Sequence, residues 1–271
     1  MEIQSKRVEI IPAKRRAMIL ERLRRDGAAS ILELAEEIGA SASTIRRDLE
    51  QLTEGGYLER THGGALFVPP LQATFEREPS LNAQLQHPQK RAIGAVAALR
   101  LNPRESVIFD SSSTVIEAVR AAVERQIPLT AVTNSLEIAT VCAECPSWRV
   151  IVLGGTLRPG SQMMVGEPGA DFLKTIHADV CLIGTYAVTG RILSDASLEV
   201  ASIKRAMIQS ARRTILLVDS SKFQAPAFCT FCEITAISEI ITDDGISADH
   251  LAMLRSFNIK VTVANAAGIS S

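Results

Sequence analysis

Apolar residues recur at helical spacing over the first quarter of the chain and in short β-branched runs over the rest. The two regimes predict two different folds. Ile19, Leu20 and Leu23 mark a first helix that stops at Gly27. Ser30 and Glu33 form a capping box, and Ile31, Leu34, Ala35 and Ile38 keep the i, i+3, i+4, i+7 spacing of an amphipathic helix. Gly39 suits the left-handed position just past that helix. Ser41 caps a third helix with the buried stripe Ile45, Leu49 and Leu52, ended by Gly55-Gly56. A strand-like stretch from Tyr57 to Thr61, then Gly63-Gly64, then Ala65-Leu66 make a two-stranded wing. Residues 67–90 carry Pro69, Pro70, Pro79 and Pro88 among Gln and Asn and read as a linker.

From about residue 91 the runs VIFD (107–110), LTAVT (129–133), VIVL (150–153), VCLIG (180–184), TILLVD (214–219) and IIT (240–242) alternate with helical stretches such as 115–125 and 198–210. Alternation of this kind predicts a mostly parallel sheet with helices on both faces. The expected fold class is therefore α/β with a small α+β domain: a winged helix-turn-helix at 12–66, a linker at 67–90 and an α/β domain at 91–265.

Composition changes this picture little. The chain has 271 residues, 46% hydrophobic and 22% charged, enough to bury a sizeable core. No run approaches the roughly 18 apolar residues of a membrane span, and the N-terminal MEIQSKRVEI lacks the apolar region of a signal peptide. A cytoplasmic protein with no membrane partner is expected. The five cysteines include the pairs Cys142/Cys145 and Cys229/Cys232, plus Cys181. They read as small buried hydrophobes before metal or redox groups, so no metal ligand and no cofactor is expected.

Charge matters more by place than by sum. The net charge is −1, yet Lys14, Arg15, Arg16, Arg22, Arg24, Arg25, Arg46, Arg47 and Arg60 all lie in the first quarter, with Glu33, Glu36 and Glu37 on a different predicted helix. Two helices joined by a tight glycine turn are a helix-turn-helix signature. On the third helix Ser43, Thr44, Arg46 and Arg47 face away from the apolar stripe. Arginine bonds guanine edges bidentately or pairs with phosphate, and the helix start near Ser41 favours phosphate as well. Arg60 and His62 on the wing reach toward an adjacent backbone or minor groove, or His62 is a surface bystander. Solvated charge on a small helical domain is the plain alternative.

In the second domain the strands run into small polar loops. Asp110-Ser111-Ser112-Ser113-Thr114 opens a helix, and Asn134-Ser135, Gly154-Gly155-Thr156, Gly184-Thr185 and Ser220-Ser221-Lys222 follow other strands. Ligands of open parallel sheets bind at the carboxyl ends of strands, and a serine-rich loop at a helix start offers hydroxyls and N–H groups to an anion. Lys222 supplies a point charge. Glu199 and Lys204 either bond ligand hydroxyls or pair with each other on a solvated face. Asp110 either holds a hydroxyl or orients its loop.

The run S-x-S-T-I-R-R-D-L from Ser41, followed by L-x-x-x-G-x-L-x-R-x-H-G-G-A from Leu52, closely resembles the N-terminal signature of the DeoR family of sugar-metabolism repressors. V-I-F-D-S-S-S-T, V-T-N-S-L, L-G-G, Gly166-Glu167, E-x-x-x-x-K-R-A-M-I from Glu199 and V-D-S-S-K-F from Val218 resemble that family's C-terminal sensor domain. The resemblance implies a DNA-binding transcription regulator, a repressor of carbohydrate-metabolism genes controlled by a phosphorylated sugar or related metabolite. It also implies a sensor fold similar to that of ribose-5-phosphate isomerase. The DNA-binding residues are then Ser41, Ser43, Thr44, Arg46, Arg47, Arg60 and His62. The effector-binding residues are Asp110, Ser111, Ser113, Thr114, Asn134, Ser135, Gly155, Glu199, Lys204 and Lys222. The implied partners are a double-stranded DNA operator, a small-molecule effector and further copies of the chain, as a dimer or tetramer. One departure stands out: where the family usually has G-A-D-G-I, this chain has Gly184-Thr185-Tyr186-Ala187-Val188, which lacks the acid and puts a tyrosine in the pocket. An isomerase-like enzyme is the rival function, with Glu199 as base and Lys222 as electrostatic partner. The missing acid speaks against it, and no catalytic residue is expected. A third class is a DNA-binding protein whose second domain only oligomerises.

Overall fold

The computed structural model describes residues 10–69 and 72–265. Pro70 and nearly all of the N-terminal segment read above lie outside the described residues. The chain divides into two units, one running to Gln72 with Arg77–Leu85 added, the other made of Ala73–Glu76 and everything from Gln86.

The first unit holds helix α1 (Pro12–Asp26), strand β1 (Ala28–Ser30), helices α2 (Ile31–Ile38) and α3 (Ala42–Glu54), strands β2 (Leu58–Arg60) and β3 (Gly64–Phe67), and helix α4 (Pro79–Gln84). Each terminal signal works locally. Ser30 and Glu33 cap α2 reciprocally, Gly39 ends it in the left-handed region at φ 73°, and Ser41 accepts from the Thr44 N–H at the start of α3. Ile19, Leu23, Leu34, Ile45, Leu49 and Leu52 make the core, the same side chains that carried the helical spacing.

Two features depart from the sequence reading. The wing has a third strand: β1 pairs with β3, giving the order β1-β3-β2. Ala28-Ala29-Ser30 has no β-branched residue, so nothing in it signalled a strand. Within the expected linker at 67–90, the described residues 72–90 also carry helical structure. Tyr57 accepts a hydrogen bond from the Glu78 N–H at 2.6 Å, Leu81 and Leu85 are buried, and α4 packs on α1. The prolines misled because Pro79 and Pro88 stand in the first turns of helices, where proline has no hydrogen bond to lose.

The second unit runs α5 (His87–Ala98), β4 (Ser106–Phe109), α6 (Val115–Glu124), β5 (Thr130–Thr133), α7 (Leu136–Ala143), β6 (Arg149–Val152), β7 (Thr156–Leu157), β8 (Met164–Val165), α8 (Gly169–Leu173) and β9 (Ala178–Ile183). It continues through β10 (Ala187–Thr189), β11 (Ile192–Asp195), α9 (Leu198–Gln209), β12 (Ala211–Leu217), β13 (Cys229–Glu233), β14 (Glu239–Asp243), α10 (Ala248–Ser256) and β15 (Lys260–Ala264). Among the described residues seven strands form one sheet in the order β15-β14-β12-β9-β4-β5-β6, every pair parallel. Alternate residues feed two cores. Val107 and Phe109 join Ile93, Val119 and Ile138 on one face, while Ile108 joins Ile203, Met207 and Leu254 on the other. Burial on both faces is why these strands read as unbroken apolar runs. Strand β15 was not anticipated, and neither were β10 and β11, which with β13 form a small antiparallel sheet.

Four of the five cysteines are buried and all are free thiols; burial pushes Cys142 and Cys232 up to about 12. Among the described residues no group of His, Cys, Asp and Glu is placed to hold a metal ion, and no helix is long and apolar enough to cross a membrane.

The wing gives a controlled test. A Cβ on Gly64 would stand 2.1 Å from the Ala29 carbonyl oxygen, whereas one on Gly63 would meet nothing within 4 Å. Gly64→Ala is expected to part β1 from β3 and to cost about 1–3 kcal/mol in denaturant unfolding, with Gly63→Ala within about 0.5 kcal/mol of the wild type.

Candidate nucleic-acid interface and sheet-edge site

Helix α3 presents Ser43, Arg46 and Arg47 to solvent, at the i, i+3, i+4 spacing of one helical face. Neither Arg46 nor Arg47 holds an ion pair with a described residue. The opposite face is fixed by apolar packing and by an ion pair that sequence reasoning missed: Arg15 Nη2 donates to Asp48 Oδ1 at 3.1 Å, and Asp48 is 2% exposed. Ser41 spends its oxygen on the cap, within reach of the Ser43 and Thr44 hydroxyls at 2.9 and 2.8 Å. Thr44 is half-buried. Arg60 on β2 pairs with Glu50 of α3 at 3.0 Å, and His62 is exposed in the wing turn. The wider basic surface inferred from the sequence is reduced, because Arg22 pairs with Asp26 and Glu37 and Arg25 reaches both. The acidic residues of α2 are not held apart from those arginines.

In the second unit the chain moves from β4 outward through β5 to β6, then returns to β9 on the other side of β4. The order of strands reverses there, and open α/β sheets bind ligands at such a point. Asp110 follows β4 and Gly184 follows β9. The Gly184 N–H donates to Asp110 Oδ2 at 3.0 Å, and Lys204 Nζ donates to the same oxygen at 2.6 Å and to the Gly184 carbonyl at 2.9 Å. Asp110 is 0% and Lys204 4% exposed. Gly184 is required here, since a Cβ would stand 2.3 Å from Ser112 Oγ. Lys204 is thus neither on a solvated face nor paired with Glu199. Asp195, at the end of β11, comes within 3.9 Å of the ammonium. Burial would lower the Lys204 pKa, but Asp110 and Asp195 outweigh it and hold it above the ordinary lysine value. Burial raises the Asp195 carboxyl, with Lys204 pulling the other way.

The other loops meet at the same carboxyl edge. Ser135 caps α7 by accepting from the Ile138 N–H, Asn134 Nδ2 donates to the Met164 carbonyl at 3.0 Å, and Ser111 Oγ donates to Met163 Sδ at 2.9 Å. Met163 and Met164 belong to the β7–β8 hairpin, which begins at Gly155. There φ is 145° and a Cβ would meet the Val165 oxygen at 2.5 Å. Thr114 is buried at the start of α6 and Ser113 half-buried beside it. Lys222, 8% exposed, lies over the Tyr186 ring at 5.6 Å. Burial opposes ionisation of Asp219, yet Lys222 and Lys90 hold its carboxyl below the usual range. Lys90, 1% exposed on α5, was not read from the sequence, because a lysine inside a presumed linker carried no signal. Glu199 stays exposed, bonded to Ser197 Oγ at 2.6 Å. Asp110 Oδ1, Asn134 Oδ1 and Asp219 Oδ2 are buried acceptors with no donor among the described residues.

A helix-turn-helix with two solvent-facing arginines, followed by a parallel sheet with a polar switch point, defines a class: DNA-binding regulators with an effector-responsive α/β unit. Residues 15–70 match the DeoR-like helix-turn-helix domain, and residues 85–244 match the DeoR C terminal sensor domain. The chain is 31% identical to a putative aga operon transcriptional repressor of Escherichia coli O157:H7, covering 92% of this chain and 93% of that one. It is 30% identical to the HTH-type transcriptional regulator GlpR of Haloferax volcanii (93% and 98%) and 31% identical to the glycerol-3-phosphate regulon repressor of E. coli K12 (90% and 95%). The chain belongs to the DeoR family of transcription regulators. Among solved structures, ribose 5-phosphate isomerase A from Neisseria gonorrhoeae matches at TM-score 0.38 and 14% identity, over 53% of this chain and 55% of that one, a likeness too loose to carry an argument about chemistry.

Removing one partner of a buried ion pair strands the other. Lys204→Met is expected to destabilise the protein by about 3–5 kcal/mol, with part of the loss recovered in the Asp110→Asn, Lys204→Met double variant, as read by denaturant unfolding. Because the Lys204 pKa is raised on folding, its contribution is fully present below the ordinary value of about 10.4 and is lost as pH rises through the folded value. On the alkaline side, the wild type minus double variant difference should shrink over that range.

Proposed function

We propose that this protein is a repressor of carbohydrate-metabolism genes that binds its operator as a homo-oligomer in the cytoplasm and responds to a phosphorylated sugar or related metabolite. DNA reading is assigned to residues 12–66, through Ser43, Arg46 and Arg47 with support from Arg60 and His62. Sensing is assigned to 91–265, at Asp110, Ser111, Ser113, Thr114, Asn134, Ser135, Gly155, Glu199 and Lys222. Lys204 acts beneath the site by holding Asp110.

The observation that carries this reading is the set of three buried acceptors without donors among the described residues, Asp110 Oδ1, Asn134 Oδ1 and Asp219 Oδ2, at the ends of β4, β5 and β12 and with Lys222 beside Asp219. Each unsatisfied buried acceptor costs about 1–3 kcal/mol. A ligand with several hydroxyl donors and one anionic group satisfies both halves of this arrangement. The name of the glycerol-3-phosphate regulon repressor points the same way. Catalysis is disfavoured because Glu199, the base of the isomerase-like alternative, is exposed and bonded to Ser197 Oγ at 2.6 Å, and the 184–188 stretch after β9 carries no acid. Paired copies suit helix-turn-helix recognition of two half-sites.

Arg46→Ala is expected to weaken operator binding by about 1–3 kcal/mol, or roughly 5- to 150-fold, with relaxed specificity at one base position. A uniform loss over all sequences would assign Arg46 to phosphate instead, and no loss at all would remove the helix from the interface. At the other site, sugar phosphates should raise the melting temperature of the wild type and leave that of Ser113→Glu unchanged. An equal rise in both places the ligand elsewhere.

A further inference from the structure

We propose that Glu76 is a built-in occupant of an anion subsite on Arg158, and that the phosphate group of the effector displaces it. This rests on the effector site proposed above and adds a residue and a regulatory step to it.

Glu76 ends the segment Ala73–Glu76, which belongs to the α/β unit although the chain on both sides of it belongs to the DNA-reading unit. Contacts at both ends hold the segment. The Phe228 N–H donates to the Ala73 carbonyl at 3.0 Å, and Arg158 Nη2 donates to Glu76 Oε1 at 2.6 Å. Arg158 stands on the β7–β8 hairpin, immediately after β7. The same hairpin touches the candidate effector residues: Met163 accepts from Ser111 Oγ at 2.9 Å, Gln162 accepts from the Leu136 N–H at 2.8 Å, and the Met164 N–H donates to the Asn134 carbonyl at 2.7 Å. The ends of the pair are also felt at the site's rim, where Glu76 acts on Asp195 and Arg158 on Glu199.

Guanidinium takes carboxylate and phosphate with the same planar fork, so a ligand phosphate competes for the donors that Glu76 now holds. The exchange is feasible because the side chains of Arg158 and Glu76 are 27% and 34% exposed, and ion pairs this open contribute little stability. Displacement also moves a carboxylate away from Asp195, which is itself an acid. Release of Glu76 removes the ion pair at the C-terminal end of the segment and leaves the Ala73 hydrogen bond at the other end. Because that segment is continuous with the DNA-reading unit at both ends, ligand binding and the state of this strap are coupled.

The test uses the full-length chain, with inorganic phosphate and glycerol 3-phosphate as separate probes, calorimetric titration as one readout and trypsin cleavage after Arg77 as the second. Glu76→Gln is expected to tighten binding of both probes by about three- to fivefold, the scale of a part-exposed ion pair, and Arg158→Gln to weaken it. Phosphate should speed cleavage of the wild type, and Glu76→Gln should be cleaved at the faster rate without it. Tighter binding of glycerol 3-phosphate alone still supports displacement, by a phosphomonoester and not the free ion. If Glu76→Gln changes neither affinity nor cleavage while Ser113→Glu abolishes binding, the inference is overturned and the effector site stands. If neither probe binds the wild type, both fall.

Discussion

A buried charge pair at the reversal of strand order organises the α/β unit. Asp110 leaves β4 and Lys204 rises from α9, and between them they satisfy both backbone groups of Gly184 at the end of β9. The cost of burying two ions is offset only if geometry is good and the remaining hydrogen bonds are made. That requirement locks the three elements at one point and leaves Asp110 Oδ1 without a donor among the described residues. The loops that carry Ser111, Asn134 and Lys222 are hung on this frame. The polar floor of the site and the packing of the sheet are therefore one structure.

In the DNA-reading unit the equivalent constraint is the Arg15–Asp48 pair, which pins α3 to α1 beside a stripe of Ile45, Leu49 and Leu52. With one face fixed by apolar contacts and the next by a buried ion pair, α3 has one orientation. Arg46 and Arg47 are left as the face that meets solvent. On α1, Arg22 and Arg25 are engaged by Asp26 and by Glu37 of α2, whereas Arg46 and Arg47 on α3 hold no ion pair with a described residue.

Most of the fold was legible because its signals are local. The Ser30–Glu33 box, the Gly39 stop and the Ser41 cap each act within a turn, and the β-branched runs are those of strands buried on both faces. What escaped lacked such signals. Strand β1 is three small residues held by pairing with β3, and β10, β11 and β15 depend on tertiary partners. The 67–90 stretch was misread because proline marks a helix start as readily as a break. That the loops holding Asp110, Asn134 and Lys222 follow sheet strands was legible from the short apolar runs that precede them. Lys204's true partner, Asp195's approach and the roles of Lys90, Glu76 and Arg158 arise from contacts between residues far apart in sequence, which periodicity does not encode.

The central claim is that an anion-bearing ligand at the sheet edge controls the grip of α3 on DNA. It is tested most directly by measuring operator affinity at fixed salt while a sugar phosphate is titrated to saturation. A coupling of about 1–3 kcal/mol corresponds to a 5- to 150-fold change in affinity, and the account predicts a fall in that range. An operator affinity that stays constant at saturating ligand, for a sugar phosphate shown to bind the protein, would contradict it.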